Sequence, residues 1–310
     1  MPAVYHGIEE MVGNTPLLEM INIEKKEKTY GRLFAKIEAN NPGGSVKDRI
    51  ALNMIRGFEE RGELKPGGTI IESTSGNTGI GLAAIAAAKG YKVIIVMPEN
   101  MSKERVHMLK AYGAEVVLSP AELYMNGANQ IAEEIYKKTE NAVMTQQRSN
   151  PDNPAMHYKT TGPEIWSALD GKVDAFVTAV GTGGTLTGTS HFLKEKNPDI
   201  FIGVVEPARA NIFSGGTWCQ HKIQGIGPVE PPEVMDTSVF QEVFDITDEE
   251  AYETARMCPR VEGMTIGFSG GAILTAAIRV AKRKEFENKN IVFVFPDRGE
   301  RYLSSGIYDY

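Results

Sequence analysis

A chain of 310 residues, 42% of them hydrophobic, is long enough for about two domains or one large α/β unit with a full core. Its net charge of -7 at pH 7, with no Lys/Arg stripe, argues against nucleic acid as a partner, and its strand-length apolar runs are too short to span a membrane. Two cysteines, Cys219 and Cys258, show neither metal-ligand nor disulfide spacing, and the first residues lack a signal-peptide core, so a cytoplasmic, reducing compartment is expected.

Short Val- and Ile-rich runs predict strands over 33–37, 69–71, 92–97, 115–118, 175–179, 201–205 and 291–295. Helical patterns lie over 47–61, 77–89, 103–112, 125–139, 184–196, 249–257 and 271–284. Near-continuous apolar strands alternating with helices point to an α/β fold of mostly parallel sheets flanked by helices. The turn-rich stretch NPDNP at 150–154 is the best boundary between two layers, and 208–232 reads as a long irregular loop. Ligands of such folds sit beyond the carboxyl ends of the strands, so the strand–loop–helix junctions are the places to look for chemistry.

Three junctions stand out. In Asn41-Pro42-Gly43-Gly44-Ser45-Val46-Lys47-Asp48-Arg49 a lysine opens a helix, where the dipole disfavours an ammonium and favours the neutral amine of Schiff-base chemistry. A surface lysine after a glycine turn is the plainer alternative. In Glu72-Ser73-Thr74-Ser75-Gly76-Asn77-Thr78-Gly79 the hydroxyls and N–H groups of a helix start suit a carboxylate; ordinary capping accounts for one such residue, not five in a row. In Gly181-Thr182-Gly183-Gly184-Thr185-Leu186-Thr187-Gly188 glycines at a helix start suit a phosphate. No Gly-Lys-Ser/Thr follows, and Leu186 stands where a dinucleotide fingerprint needs glycine. The histidines (6, 107, 157, 191 and 221) have no metal-ligand spacing and read mostly as surface or structural residues, so no metal is expected. Trp218 and Cys219 read as loop anchors, and Met97, Met101 and Met108 as core filling.

The segments NNPGGSVKDR, ESTSGNTG, NPDNPAMHYKTTGPEIW, GTGGTLTG and PDRGERYLSSG, in that order, resemble those of the cysteine synthase (O-acetylserine sulfhydrylase) family of pyridoxal-phosphate (PLP) enzymes. The likeness runs from Gly13-Asn14-Thr15-Pro16-Leu17 to the C-terminus. The length and the ending DRGERYLSSG are similar to the B-type isozyme, and HKIQGIG at 221–227 to the A-type loop. The resemblance implies a two-domain, tryptophan-synthase-β-like architecture (fold type II). An N-terminal domain would span 45–149, with 93–137 as its mobile part, and 1–44 with 150–310 would form a larger domain.

It also implies roles. Lys47 matches the lysine that binds the cofactor covalently and acts as the base, Asn77 the partner of its 3-oxygen, and Gly181, Thr182, Gly183, Gly184 and Thr185 the phosphate cup. Ser269 matches the partner of the pyridine nitrogen, where a hydroxyl keeps the electron sink weak and favours β-elimination. Thr74, Ser75, Gly76, Thr78, Gln147 and Gly225 match the substrate site. The implied reaction is β-replacement on an O-activated L-serine, with sulfide as nucleophile, in a homodimer that could bind a serine acetyltransferase. Release of sulfide from cysteine, or use of another thiol or an amine, stays open within the same chemistry. A non-catalytic partner of an acetyltransferase is the alternative from another class, and the lysine with its cup speaks against it.

Two positions depart from the family pattern: Arg148 stands where phenylalanine is usual, and Pro228-Val229-Glu230 where Ala-Gly-Phe is usual. A solvated rim pair contributing at most about 1 kcal/mol is one reading. The other is a site for a more polar nucleophile or leaving group, with Glu230 as acid–base catalyst and Arg148 as an anchor for a second carboxylate.

Overall fold

Apolar strands and helices alternate along the chain, the pattern of parallel sheets whose inner strands are buried on both faces by covering helices. The structure, a computed structural model, describes residues 4–74, 76–101 and 103–309. In chain order the elements are β1 (Leu17–Glu19), α1 (Ile21–Glu27), β2 (Arg32–Ile37), α2 (Lys47–Glu60), β3 (Thr69–Ser73), α3 (Asn77–Lys89), β4 (Lys92–Pro98), α4 (Lys103–Ala111), β5 (Glu115–Ser119), α5 (Tyr124–Lys138) and β6 (Ala142–Met144). There follow α6 (Asp152–Met156), a π-helical turn (His157–Thr161), α7 (Gly162–Ala168), β7 (Ala175–Ala179), α8 (Gly184–Lys196), β8 (Phe201–Pro207), β9 (Glu242–Ile246), α9 (Asp248–Glu262), α10 (Phe268–Ala281) and β10 (Asn290–Phe295).

The chain divides into two compact units, one of residues 4–13 and 41–153 and one of 14–40 and 154–309. In the smaller unit four parallel strands run in the order β5-β4-β3-β6. Ile71 and Val96 meet Ala128 and Ala132 of α5 on one face. On the other, Gly79 lies so close to Ile95 that an added Cβ would sit 3.2 Å from its side chain, which seats α3 directly on the sheet. In the larger unit the order is β1-β2-β10-β7-β8-β9, antiparallel only at β1. Phe293 and Phe295 of β10 pack under α10, while Val292 and Val294 face Leu186 and Leu193 of α8.

The smaller unit gains a segment that the sequence reading put in the larger domain: residues 4–13 belong with it, because Glu9 bridges Lys89 at 3.0 Å and Arg56 at 3.1 Å. No periodicity announces such a contact. Elements absent from the sequence reading are short or sit at sheet edges: β1 and β6 have three residues each, and β9 mixes charged with apolar side chains. Helix α9 runs past Pro259 to Glu262, held at its start by a capping box of Thr247 and Glu250. No helix among the described residues is long and apolar enough to cross a membrane.

Candidate active site

The glycine-rich junction of the larger unit follows β7 and opens α8. Gly183 caps the helix with φ 79°, and no side chain caps it, so the first N–H groups stay available to an anion. Gly181 is crowded: a Cβ there would stand 2.5 Å from the carbonyl oxygen of Gly225. The Gly225 loop is tied to the same junction, since the Gly227 N–H donates to the Val180 carbonyl at 3.0 Å and Trp218 Nε1 donates to the Gly227 carbonyl at 3.2 Å. Trp218 thus anchors the loop as expected, and Cys219 beside it donates its backbone N–H to Arg209 O at 2.6 Å. Three residues beyond Gly227, Glu230 is exposed on this loop.

Thr185 lies in the first turn of α8, and its hydroxyl meets His157 Nε2 at 3.2 Å. His157 is 1% exposed, and its Nδ1 meets Thr161 Oγ1 at 2.9 Å. For Thr185 to donate to an anion it must accept from Nε2–H, which leaves Nδ1 to accept from Thr161. The π-helical turn carries this histidine to its place, a site role that the sequence reading missed. Ser269 is buried in the first turn of α10, a helix opened by Gly267 without a side-chain cap. A Cβ on Gly267 would meet Asp297 Oδ1 at 2.3 Å, and Asp297 accepts from the Tyr302 hydroxyl at 2.6 Å. Because β10 pairs with β7 in parallel, Asp297 and Gly181 follow neighbouring strand ends, which puts Ser269 and the glycine cup on one sheet edge. Residues and backbone here fit a phosphate with an attached ring.

In the smaller unit Lys47 is the first residue of α2, and its N–H donates to Ser45 Oγ at 3.2 Å. The preceding turn needs Gly44 at φ 84°, and the Gly43 N–H donates to buried Asp48 at 2.5 Å. Asn77 opens α3, again without a side-chain cap. The two helices touch at glycine: a Cβ on Gly81 would lie 3.2 Å from the Asp48 Cα, which sets the starts of α2 and α3 side by side. Ser75 lies outside the described residues. The guanidinium of Arg105, from α4, covers Gly76 so closely that a Cβ there would meet its Nε at 3.1 Å. Nothing in the spacing of the sequence singles out this cation.

Gln147 follows β6 and meets the carboxylate loop through its amide. The Thr78 hydroxyl donates to its Oε1 at 2.6 Å, and its Nε2 donates to Glu72 Oε1 at 2.9 Å. Glu72, near the end of β3, is 3% exposed and also accepts from Thr145 Oγ1 at 2.5 Å. Burial pushes the Glu72 carboxyl up to about 7, while Thr145, Gln147 and the backbone N–H groups of Gln146 and Gln147 pull it down. The sequence reading placed Glu72 at the head of the junction motif and gave it no role. Arg148, next in the chain, is exposed.

A family model described as pyridoxal-phosphate dependent enzyme matches residues 8–297. A cysteine synthase of Staphylococcus aureus is 44% identical over 305 residues, covering 98% of this chain and 97% of its own. Among solved structures, the cysteine synthase of Entamoeba histolytica has a TM-score of 0.94 at 40% identity, covering 100% of this chain and 93% of its own. A hydrogen sulfide-producing enzyme of Fusobacterium nucleatum has a TM-score of 0.93 at 41% identity, with 97% and 100% covered.

The crowding at Gly181 gives a direct test of the cup. Gly181→Ala drives a methyl group against the Gly225 carbonyl, and overpacking of that kind weakens PLP binding by about tenfold or more. Titration of cofactor-stripped protein followed by absorbance measures this, and circular dichroism should show an unchanged fold. Wild-type affinity would remove Gly181 from the cup.

Proposed function

The chain belongs to the cysteine synthase family of pyridoxal-phosphate dependent enzymes, and on that premise we propose that it converts O-acetyl-L-serine and sulfide to L-cysteine and acetate. The observation that carries the reading is the pair of junctions: a lysine at the first residue of α2 and an uncapped, glycine-walled start of α8. The backbone of 181–185 and the Thr185 hydroxyl would hold the phosphate of PLP, Ser269 would face its pyridine nitrogen, Asn77 its 3-oxygen, and Lys47 would bind it covalently. When bound, PLP supplies the electron-withdrawing ring that stabilises negative charge at the substrate Cα.

The remaining work belongs to the chain. Thr74, Ser75, Gly76, Thr78 and Gln147 bind and orient the α-carboxylate. Lys47, at the first residue of α2, takes the α-proton as the acetate leaves. After sulfide adds at the β-carbon, Lys47 returns the proton to Cα. Closure of 93–137 over the substrate excludes water, which would otherwise compete with sulfide. The assembly is a homodimer, with an acetyltransferase as a further partner.

A second substrate pair is favoured by the Gly225 loop, which the Gly227–Val180 bond ties to the cup. Glu230 on that loop acts as an acid or base for a thiol substrate, so that cysteine or serine also serves, and Arg148 receives a second carboxylate. The similarity to a sulfide-producing enzyme supports this reading.

Assays with O-acetyl-L-serine, L-serine and L-cysteine, each with and without sulfide, should give the highest rate of cysteine formation from O-acetyl-L-serine plus sulfide. Lys47→Ala should abolish turnover by several orders of magnitude and leave the fold intact; wild-type turnover would refute its role. Glu230→Gln should cut turnover of cysteine or serine by about 10²–10⁴-fold while sparing O-acetyl-L-serine plus sulfide, because hydrosulfide needs no base at neutral pH. Equal loss with every pair, or none, returns Glu230 to a rim charge. Light scattering should give twice the chain mass of 33.9 kDa; a monomer contradicts the dimer.

A further inference from the structure

We propose that Glu72 is the positioning residue of the substrate-carboxylate site, fixing the side-chain amide of Gln147 so that it presents a donor to the amino acid. The inference rests on the reading of 74–78 and Gln147 as that site. Its geometry is local to one unit: Glu72 ends on β3, Gln147 follows the neighbouring strand β6, and Thr78 stands in the first turn of α3.

The argument turns on which atoms can donate. Above about pH 7 the Glu72 carboxyl is ionised and only accepts, so the Gln147 atom facing it at 2.9 Å is then nitrogen. The amide oxygen then faces Thr78, whose hydroxyl must donate to it at 2.6 Å. One N–H of the amide is committed to Glu72, and the second is the donor left for an anion. Rotated by half a turn, the same amide would offer its oxygen to a substrate carboxylate and repel it. An amide swings about a terminal torsion of low barrier, so its orientation needs an outside constraint.

Glu72 is itself held. Thr145 Oγ1 donates to its second oxygen at 2.5 Å, and the backbone N–H groups of Gln146 and Gln147 also donate to it. Gln146 stands in the left-handed region at φ 48°. The loop is pinned from its other side as well: Asn153 Nδ2 donates to the Gln147 carbonyl at 2.7 Å, and Asn150 Nδ2 to that of Thr145 at 2.9 Å. A buried carboxylate is costly, and Glu72 is held by the neutral donors of Thr145, Gln147 and the backbone of Gln146 and Gln147.

Glu72→Gln tests this. The new amide can donate to Gln147 Oε1 and so permits the reversed orientation. In the PLP-loaded enzyme, L-serine binding read from the cofactor's absorbance should weaken by about tenfold or more. The KM for O-acetyl-L-serine should rise in parallel, with kcat at saturation, the cofactor spectrum and the thermal midpoint little changed. The decisive readout is a double-variant cycle with Gln147→Ala. If Glu72 acts through Gln147, adding Glu72→Gln to Gln147→Ala weakens binding no further. Thr145→Val removes one donor to Glu72 and should give a smaller weakening that also vanishes in the Gln147→Ala background; it decides the matter should Glu72→Gln fail to fold. Wild-type affinity in Glu72→Gln, or losses that multiply in the double variant, overturn the proposal. A wild-type enzyme that binds neither L-serine nor O-acetyl-L-serine overturns the substrate reading along with it.

Discussion

Backbone N–H groups at the starts of helices have no partner within the helix, and the chemistry of this protein is arranged around leaving several of them uncapped. Helix α8 begins at Gly183, α3 at Gly76 and α10 at Gly267, none with a side-chain cap, and each carries residues of a functional motif. Helices α1, α5 and α7 lack a side-chain cap as well, whereas α9 begins with a complete capping box of Thr247 and Glu250. Capping stabilises a helix by about 1 kcal/mol. Where the cap is missing, the partial positive charge is open to a phosphate or a carboxylate, and binding supplies the missing acceptor.

Parallel strands put these helix starts where they can be used. Helices α3 and α8 follow the strands β3 and β7 directly, while α10 follows α9, so the loops before α3 and α8 lie at the carboxyl ends of strands of their own sheets. Glycine sets how closely they gather. At Gly181 against the Gly225 carbonyl and Gly267 against Asp297 a Cβ would collide, and at Gly81 against Asp48 it would be tight at 3.1 Å. The motif PDRGERYLSSG, which has no group of evident chemical use in the sequence reading, supplies Asp297 and Tyr302 to one of these contacts and so supports the start of α10.

Side chains without direct chemistry then set the direction of those that have it. His157 decides which way the Thr185 hydroxyl can donate, and Glu72 decides which face of the Gln147 amide points outward. Both are nearly buried, and both hold an acceptor or donor whose polarity would otherwise be free to reverse. Burial raises the Glu72 carboxyl to about 7, while the donors that hold it in place pull it down.

The sequence by itself determined what depends on neighbours along the chain. Two- and 3.6-residue periodicities mark the long strands and helices. Glycine, serine and threonine at helix starts mark where anions bind, and the order of the five segments marks the family. The tertiary structure alone decided what depends on distant residues: that 4–13 joins the smaller unit through Glu9, that Gly225 walls Gly181, and that Arg105 covers Gly76. Glu72 is 75 residues from Gln147, and His157 is 28 from Thr185. A period of two or 3.6 residues reports which face of its own element a side chain takes, and carries no information about which other element that face will meet. Glu72 and His157 stand inside the quoted motifs, but which side chains they meet depends on partners far along the chain.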